Sequence, residues 1–345
     1  MDLGMIHENI ELHNIEEVRA MPNGGLRLQR VPESVRLTLN DGAQVRMLQP
    51  DNAEIRFLAD GPVRITLSSE GQTKVSVFHG LFDGRSRTVI GEEPQTIEIH
   101  VPERLFELSP ERYPEMAFTP QVYRLLLGGP QREPLMIHGI EGENIRPPAL
   151  HDLPTLRYLA YGTSITHGFD AEGPHLSYVG QTARLIGADL INLGVGGSAH
   201  CEPELADYIA GRKDWQIATL ALSVNMHEFP MDTFYERVST MVNTVAGADP
   251  GRVVACITLY PYFRDLGIEE ESQTGGRSEA YRQALRDAVA ACPSSNVHLL
   301  EGPEILTDLT GLTADLIHPS DFGMTEMGRN LAPLLKPLLH GLGKK

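Results

Sequence analysis

The 345-residue sequence predicts an antiparallel β-sandwich of the jelly-roll type over residues 1–148, followed by an α/β domain over residues 149–345. The second unit is expected to have three layers, with helices on both faces of a parallel sheet. Short runs that alternate apolar and polar residues dominate the first part of the chain. Apolar strand-like runs alternate with amphipathic helical runs in the second part. Arg146-Pro147-Pro148 lies between them, and adjacent prolines favour an extended linker.

The first unit contains short strand patterns separated by glycines, at residues 34–39, 53–58, 62–68, 74–78, 95–101, 121–127 and 134–139. Asp60-Gly61 stands between two of these runs and predicts a hairpin turn. Many short strands with few helical stretches favour a sandwich. Phe57, Phe78 and Phe106 are the aromatic residues expected in its core.

The second unit alternates strand and helix patterns. Strands are expected at 156–161, 189–193, 217–223, 253–259 and 297–301, and helices at 178–186, 202–210, 231–245, 278–291 and 325–339. The strands are almost entirely apolar, as in a parallel sheet that helices cover on both faces. In open parallel sheets, sites form at the carboxyl ends of the strands.

Bulk composition excludes several function classes. The net charge is −17 and no basic cluster occurs, so neither nucleic acid nor a membrane is expected as a partner. Cys201, Cys256 and Cys292 are widely spaced and odd in number, which disfavours a disulfide framework and indicates a reducing compartment. The first residues lack the pattern of a secretion signal, and no apolar run approaches about 18 residues. A cytoplasmic location is therefore expected.

Four segments carry the candidate chemistry, three of them directly after predicted strands and the fourth late in the chain. They are Gly162-Thr163-Ser164, the glycine-rich run 192–198, Ser223-Val224-Asn225-Met226, and Asp315-x-x-His318. Acyl transfer through a serine needs a nucleophile, a base, a group that orients the base, and donors for the oxyanion. These segments offer each of them, so the pattern predicts a serine hydrolase.

The residue types suggest the roles. Ser164 fits the nucleophile and His318 the base, while Asp315 can accept the proton of the other imidazole nitrogen. The backbone amides of Ser164 and Gly197 and the side-chain amide of Asn225 can form the oxyanion hole. A glycine suits this position because its bare backbone can approach a substrate oxygen closely.

The four segments resemble, in order, the four sequence blocks of the SGNH, or GDSL, hydrolase superfamily, over residues 155–340. The resemblance places the four residues of the superfamily's name at Ser164, Gly197, Asn225 and His318, and its aspartate at Asp315. The chain looks most like two-domain members with an N-terminal β-sandwich. Such enzymes are esterases, lipases, thioesterases and carbohydrate deacetylases, so the resemblance implies an ester hydrolase that needs no metal or other cofactor.

Two segments depart from the superfamily's pattern. Thr163 stands where an aspartate usually precedes the serine, and Ser223-Val224-Asn225-Met226 stands where Gly-x-Asn-Asp is usual. We expect the reaction class to stand and the loop's internal hydrogen bonds and substrate preference to differ. A short acyl group, most simply acetyl, is favoured, because few large apolar residues flank the motifs. His200 and Met226 are candidate contacts to the substrate, and the sandwich suggests a saccharide ester.

Other interpretations of the same residues are weaker. The run 194–197 is incomplete as a dinucleotide loop, and the histidines near the motifs lack metal-ligand spacing. Two rival functions remain open from the sequence: acyl transfer to an alcohol by the same triad, and glycan binding by a catalytically silent fold. The sandwich is expected either to mediate homo-oligomerisation or to shape the pocket.

Overall fold

The computed structural model describes residues 4–222, 224–268 and 278–340. Ser223, which the sequence analysis placed at the end of a strand, lies outside the described residues. The N-terminal region carries strands β1 (Met5–His7), β2 (Ile10–His13), β3 (Glu17–Ala20), β4 (Leu26–Gln29), β5 (Glu54–Phe57), β6 (Val63–Ser69), β7 (Thr73–His79), β8 (Phe82–Ile90), β9 (Gln95–Ile99), β10 (Tyr123–Arg132) and β11 (Leu135–Glu141). Helices α1 (Glu33–Arg36) and α2 (Asp41–Arg46) interrupt them.

These strands form two antiparallel sheets, which confirms the expected sandwich. One sheet has the order β1-β2-β5-β10-β7-β8 and the other β3-β4-β11-β6-β9. Apolar side chains such as Ile55, Phe57, Ile65 and Leu125 fill the space between them. Alternate residues of a strand point to opposite faces, so each strand supplies one face of this core.

Three expectations for this region were wrong. Asp60-Gly61 is not a hairpin turn, because β5 and β6 belong to different sheets and the turn carries the chain between them. The expected strand at 34–39 is instead a short helix, α1, which begins after Pro32. Proline before the first helical residue suits a helix start, since it has no amide hydrogen to leave unpaired. Phe106 lies outside the core and is 61% exposed.

The C-terminal region has strands β12 (Leu156–Gly162), β13 (Ala188–Asn192), β14 (Ile217–Ala221), β15 (Val253–Ile257) and β16 (Val297–Leu300). Its helices are α3 (Ser164–His167), α4 (Tyr178–Ile186), α5 (Pro203–Gly211), α6 (Met231–Gly247), α7 (Ser278–Ala291), α8 (Gly302–Ile305) and α9 (Asp321–Leu339). The strands pair in parallel in the order β13-β12-β14-β15-β16. The expected parallel α/β fold is therefore confirmed.

Strand β12 explains the three layers. Leu159 and Tyr161 pack into the core with helices α5, α6 and α7, whereas Tyr158 and Ala160 pack into the core with α4 and α9. Both faces of the strand are thus buried, as its continuous apolar sequence requires. The chain leaves β12 between its neighbours β13 and β14, which is the position where open parallel sheets form their sites.

The N-terminal region packs closely on the parallel-sheet unit. Arg56 of β5 forms a two-pronged ion pair with Asp189 of β13, at 2.9 and 2.6 Å, and also contacts Glu54 at 2.7 Å. All three side chains are buried. The segment around α1 and α2 reaches further, and its Leu39 and Met47 lie in the same core as β12 and α5. Among the described residues, no helix is long and apolar enough to cross a membrane.

Candidate active site

Ser164 lies at a sharp turn between strand β12 and helix α3. Gly162 ends the strand, and a Cβ there would press on the Thr166 side chain and lie 3.0 Å from the carbonyl oxygen of Ala221. Only glycine allows this close approach. Thr163 is extended and Ser164 is the first residue of α3, so no carbonyl within the helix can accept from the Ser164 amide. The turn leaves both the hydroxyl and the amide of Ser164 available to a ligand.

His318 connects Ser164 to a carboxylate. Its Nε2 lies 2.8 Å from the Ser164 hydroxyl, and its Nδ1 lies 2.6 Å from Oδ2 of Asp315. Ser164 follows strand β12 as the first residue of α3, and the other two residues come from the turn before α9. The structure thus brings Ser164 together with two predicted residues that lie more than 150 positions further along the chain.

The turn that carries His318 is organised around Asp315. Oδ1 of Asp315 accepts hydrogen bonds from the Thr313 hydroxyl at 2.8 Å and from the amides of Ile317 at 2.8 Å and His318 at 2.9 Å. Partial burial by itself would raise the pKa of Asp315, but these bonds and the imidazole lower it to about 2. The carboxylate is therefore ionised throughout the neutral range and can hold a proton on Nδ1 of His318.

The segments after β13 and β14 meet beside the turn that carries Ser164. Gly197 has φ +72° and an open backbone, with space where a side chain would stand. The loop is joined to the Ser164 turn by the amide of Val195, which donates to the carbonyl of Gly162 at 2.8 Å. The amide of Ala199 donates to Oδ1 of Asn225 at 3.1 Å. This bond fixes the orientation of the Asn225 side-chain amide, whose Nδ2 carries two further donors.

A family model described as the GDSL-like lipase/acylhydrolase family matches residues 156–336, more than half of the chain. The chain belongs to this family. It is therefore a hydrolase of the SGNH type, and the matched range includes all four predicted motifs. No curated protein matches the chain by sequence.

Solved structures resemble the whole chain, sandwich included. A salicylyl-acyltransferase, SsfX3, from a tetracycline biosynthetic pathway shares 15% identity at a TM-score of 0.72, with 95% of each chain covered. A GDSL-like lipase from Bacteroides ovatus shares 16% identity at 0.69, covering 90% of this chain and 92% of that one. A family two carbohydrate esterase from Clostridium thermocellum, in complex with cellohexaose, shares 14% identity at a TM-score of 0.61. The match covers 96% of this chain and 100% of that one. At these identities the likeness establishes the two-part fold.

The two residues predicted to touch substrate differ in their surroundings. His200 is half-buried, and its ring lies 5.0 Å from that of Phe229, beside the loop that carries Gly197. Met226 has no exposed surface and packs within the apolar core. A side chain in that position offers nothing for an acyl group or alcohol to contact, which speaks against the predicted role.

Several residues near His318 were missed by the sequence analysis. The ring of Phe169 stacks on the His318 ring at 5.8 Å between centroids, and Asp170 places Oδ2 3.8 Å from Nδ1 of His318. The guanidinium of Arg132, from the sandwich, also lies over the Phe169 ring, at 4.2 Å from the ring centre. Gly168, which ends α3 in the left-handed conformation, was a local signal for the turn that carries Phe169 and Asp170. Arg132 had no such signal.

One cluster near the triad has the composition of a metal site. The ligand atoms of Asp170, Asp315 and His318 lie within 4.8 Å of one another. Two of these atoms, Oδ2 of Asp315 and Nδ1 of His318, already share the 2.6 Å hydrogen bond of the triad. A cation bound there would compete with that bond, so the same atoms cannot serve both arrangements at once.

Proposed function

We propose that this SGNH-type hydrolase cleaves short-chain carboxylic esters, acetyl esters of saccharides among them, through Ser164, His318 and Asp315. The observation that carries the proposal is the continuous hydrogen-bond chain from the serine hydroxyl through the imidazole to the carboxylate, at 2.8 and 2.6 Å. These distances suit a nucleophile, its general base and the group that orients the base.

In the proposed reaction, His318 removes the hydroxyl proton as the oxygen of Ser164 attacks the ester carbonyl. The amides of Ser164 and Gly197 and Nδ2 of Asn225 donate to the oxyanion that forms. The carbon–oxygen bond to the alcohol then breaks, and His318 gives its proton to the leaving alcohol. Water, deprotonated by the same imidazole, attacks the acyl-enzyme and releases the carboxylic acid and the free serine.

A small cavity lined by residues that flank the proposed catalytic residues, and by none of Ser164, Asp315 and His318 themselves, supports the choice of a short acyl group. Its volume is about 10 Å³, and its lining is drawn from the neighbours of the proposed catalytic residues, such as Thr163, Ile165, Val224 and Ile317. A space of this size holds about one water-sized group. It can take the methyl group of an acetyl ester, whereas a long chain would require the surrounding apolar side chains to move.

A saccharide as the alcohol is supported by the likeness to the family two carbohydrate esterase with bound cellohexaose, which extends over both units of the chain. Transfer of the acyl group to an acceptor alcohol is the second candidate. It is supported by the likeness to the salicylyl-acyltransferase over 95% of each chain. The same triad serves both, because only the second nucleophile differs.

Ser164→Ala tests the proposed nucleophile. The wild type is expected to hydrolyse p-nitrophenyl acetate and to be labelled by a fluorophosphonate, and the variant is expected to lose at least about 10³-fold in kcat and all labelling. Ser86→Ala, in strand β8 of the sandwich, is the matched control and should behave as wild type. A folded Ser164→Ala variant with wild-type activity would remove the assignment.

Substrate preference is tested with a series of acetate, butyrate and octanoate esters and acetylated sugars. We expect kcat/KM to fall as the acyl chain lengthens, since the cavity admits one small group. Highest activity on octanoate would contradict the short-acyl proposal. Acetylated product formed from an added acceptor alcohol, in excess over free acetate, would favour the transferase.

A further inference from the structure

The loop that carries Gly197 is held by side chains from the N-terminal region. Three of its carbonyl oxygens, at alternate residues, accept hydrogen bonds from that region: Arg30 donates to Gly194 at 3.1 Å, Arg46 to Gly196 at 3.2 Å, and Asn40 to Ser198 at 3.0 Å. The segment is a turn, since Gly197 has φ +72° and the amide of Ser198 donates to the carbonyl of Val195 at 3.2 Å. The three donors from the N-terminal region therefore fix the direction of three peptide groups of this turn.

Arg46 acts on the peptide group that contains a proposed oxyanion donor. The carbonyl of Gly196 and the amide of Gly197 belong to one planar peptide unit, with the oxygen and the hydrogen on opposite sides. Nε of Arg46 donates to that oxygen, and the arginine is half-buried. A charged donor on the carbonyl draws electron density from the nitrogen and strengthens its N–H as a donor. The same bond fixes the direction in which the Gly197 amide points.

Asn40 acts on another proposed oxyanion donor, the side chain of Asn225, through the peptide group between residues 198 and 199. Its Nδ2 donates to the carbonyl of Ser198, and the amide of that same peptide unit, on Ala199, donates to Oδ1 of Asn225. The chain of bonds therefore runs from Asn40 through one peptide group to the side chain of Asn225, whose Nδ2 is a proposed oxyanion donor. Without it, the Asn225 amide loses part of what fixes its orientation.

Asn40 is itself held rigidly. Its Oδ1 accepts from the amide of Ala43 at 3.0 Å and so caps the N-terminus of α2, while its Nδ2 also contacts the carboxylate of Glu202. Helix α2 lies directly against the loop, since a Cβ added to Gly42 would collide with the Ser198 hydroxyl. Both donors thus come from one short helix and its cap, pressed against the loop.

We infer that Arg46 and Asn40 are positioning residues of the oxyanion hole, Arg46 acting through the 196–197 peptide and Asn40 through the 198–199 peptide and Asn225. This inference rests on the proposed function. It assigns the segment that carries α2 a part in transition-state stabilisation, although its residues do not touch the reacting atoms.

Arg46→Met removes the guanidinium and keeps the length of the apolar stem. Removal of a whole oxyanion donor lowers kcat by about 10²–10³-fold, so the loss of its support should lower kcat by roughly 10-fold, with KM nearly unchanged. Arg46→Lys, which keeps the charge, should recover part of the loss. The loss should shrink on a thionoester of the same acid, because the sulfur anion of its intermediate accepts hydrogen bonds weakly.

Two variants serve as matched controls. Arg64→Met removes an exposed arginine that pairs with Glu141 within the sandwich. Glu16→Gln weakens the 2.7 Å ion pair with Arg212, which also joins the N-terminal region to the parallel-sheet unit but lies away from the loop carbonyls. Both should keep wild-type kcat. If kcat fell as much in Glu16→Gln as in Arg46→Met, general loosening of the contact between the N-terminal region and the parallel-sheet unit would be the cause.

A double-mutant cycle separates the effect of Asn40, which acts through Asn225, from the effect of Arg46, which acts through the Gly197 amide. Asn40→Ser keeps an oxygen to cap α2 and loses the donor to Ser198. It should lower kcat severalfold in the wild-type background and have no further effect when Asn225 is already alanine. Arg46→Met acts through Gly197, so its effect should persist in Asn225→Ala. Thermal unfolding of every variant checks the fold, and Arg46→Lys replaces Arg46→Met if the latter unfolds.

Wild-type kcat in folded Arg46→Met, or an equal effect of Asn40→Ser in both backgrounds, would overturn the inference and leave the proposed function standing. A wild-type protein that hydrolyses no ester and forms no fluorophosphonate adduct would instead remove the proposed function, and the inference with it.

Discussion

Replacement of Asp315 by asparagine should damage catalysis more than its replacement by alanine. In the structure, Oδ1 of Asp315 accepts from one hydroxyl and two backbone amides, whereas Oδ2 accepts, among the residues that the structure describes, only from Nδ1 of His318. An asparagine must keep its oxygen at the Oδ1 position, because an NH₂ group there would face two amide hydrogens. Its NH₂ group then occupies the Oδ2 position and donates to Nδ1 of His318.

That arrangement forces the wrong tautomer on the imidazole. With Nδ1 as an acceptor, the neutral ring carries its proton on Nε2, which faces the Ser164 hydroxyl and can no longer remove its proton. In a Ser-His-Asp triad this change lowers kcat by about 10⁴-fold. The loss corresponds to about 5.5 kcal/mol, since each factor of ten in rate is about 1.4 kcal/mol. In Asp315→Ala, water can reach Nδ1, because the Asp315 side chain is 42% exposed, and the productive tautomer remains accessible.

The assay compares kcat on p-nitrophenyl acetate for the two variants, with their thermal unfolding measured in parallel. Asp308→Asn is the matched control, because that carboxylate also organises an exposed turn through Thr310 but does not contact His318. Activity of Asp315→Asn within about tenfold of wild type would refute the tautomer argument, because that argument requires a loss near 10⁴-fold. A folded Asp315→Ala that is the slower of the two would refute it as well.

Two further predictions concern stability. Arg56→Met should lower the free energy of unfolding by about 3–5 kcal/mol, because it leaves the carboxylates of Asp189 and Glu54 buried beside an apolar side chain. Urea unfolding measures this free energy, and Arg64→Met is the control at an exposed ion pair. Exposed ion pairs contribute up to about 1 kcal/mol, so a decrease below about 1 kcal/mol in Arg56→Met would contradict the argument. Full burial lowers the pKa of His167 to about 4. Below about pH 6.5 the unfolded chain therefore binds a proton on this histidine that the folded chain does not bind. The free energy of unfolding should fall by about 3 kcal/mol as the pH drops from 6.5 to 4. His167→Gln should flatten the dependence of unfolding free energy on pH in that window, and an unchanged slope would show that burial does not set this pKa.

The parallel-sheet unit was predictable because its signals are local. Each strand is a short apolar run, each helix has an apolar stripe, and Ser164, Gly197, Asn225 and His318 follow in order along the chain. Ser164, Gly197 and Asn225 follow β12, β13 and β14, whose carboxyl ends share one edge of the sheet, whereas His318 reaches Ser164 from the turn before α9. The exchange between sheets at Asp60-Gly61 was not predictable in this way, because a turn motif reports local geometry and not the partner of the strand that follows.

Met226 shows a second limit of local patterns. Its place beside Asn225 suggested a substrate contact, yet neighbours on a short helical turn point in different directions, and its side chain is buried in the core. Sequence adjacency to a site residue therefore did not establish access to the site.

By itself, the sequence determined the sandwich, the parallel α/β unit and the family to which the chain belongs, because periodicity and motif order are written in consecutive residues. Only the tertiary structure decided what the N-terminal region brings to the candidate site. Arg46 and Asn40 reach the loop around Gly197 across 150 or more residues of chain, and His167 meets Asp51 across more than 100. Contacts between such distant residues depend on how two separately patterned units pack, and packing leaves no periodic signal in either one.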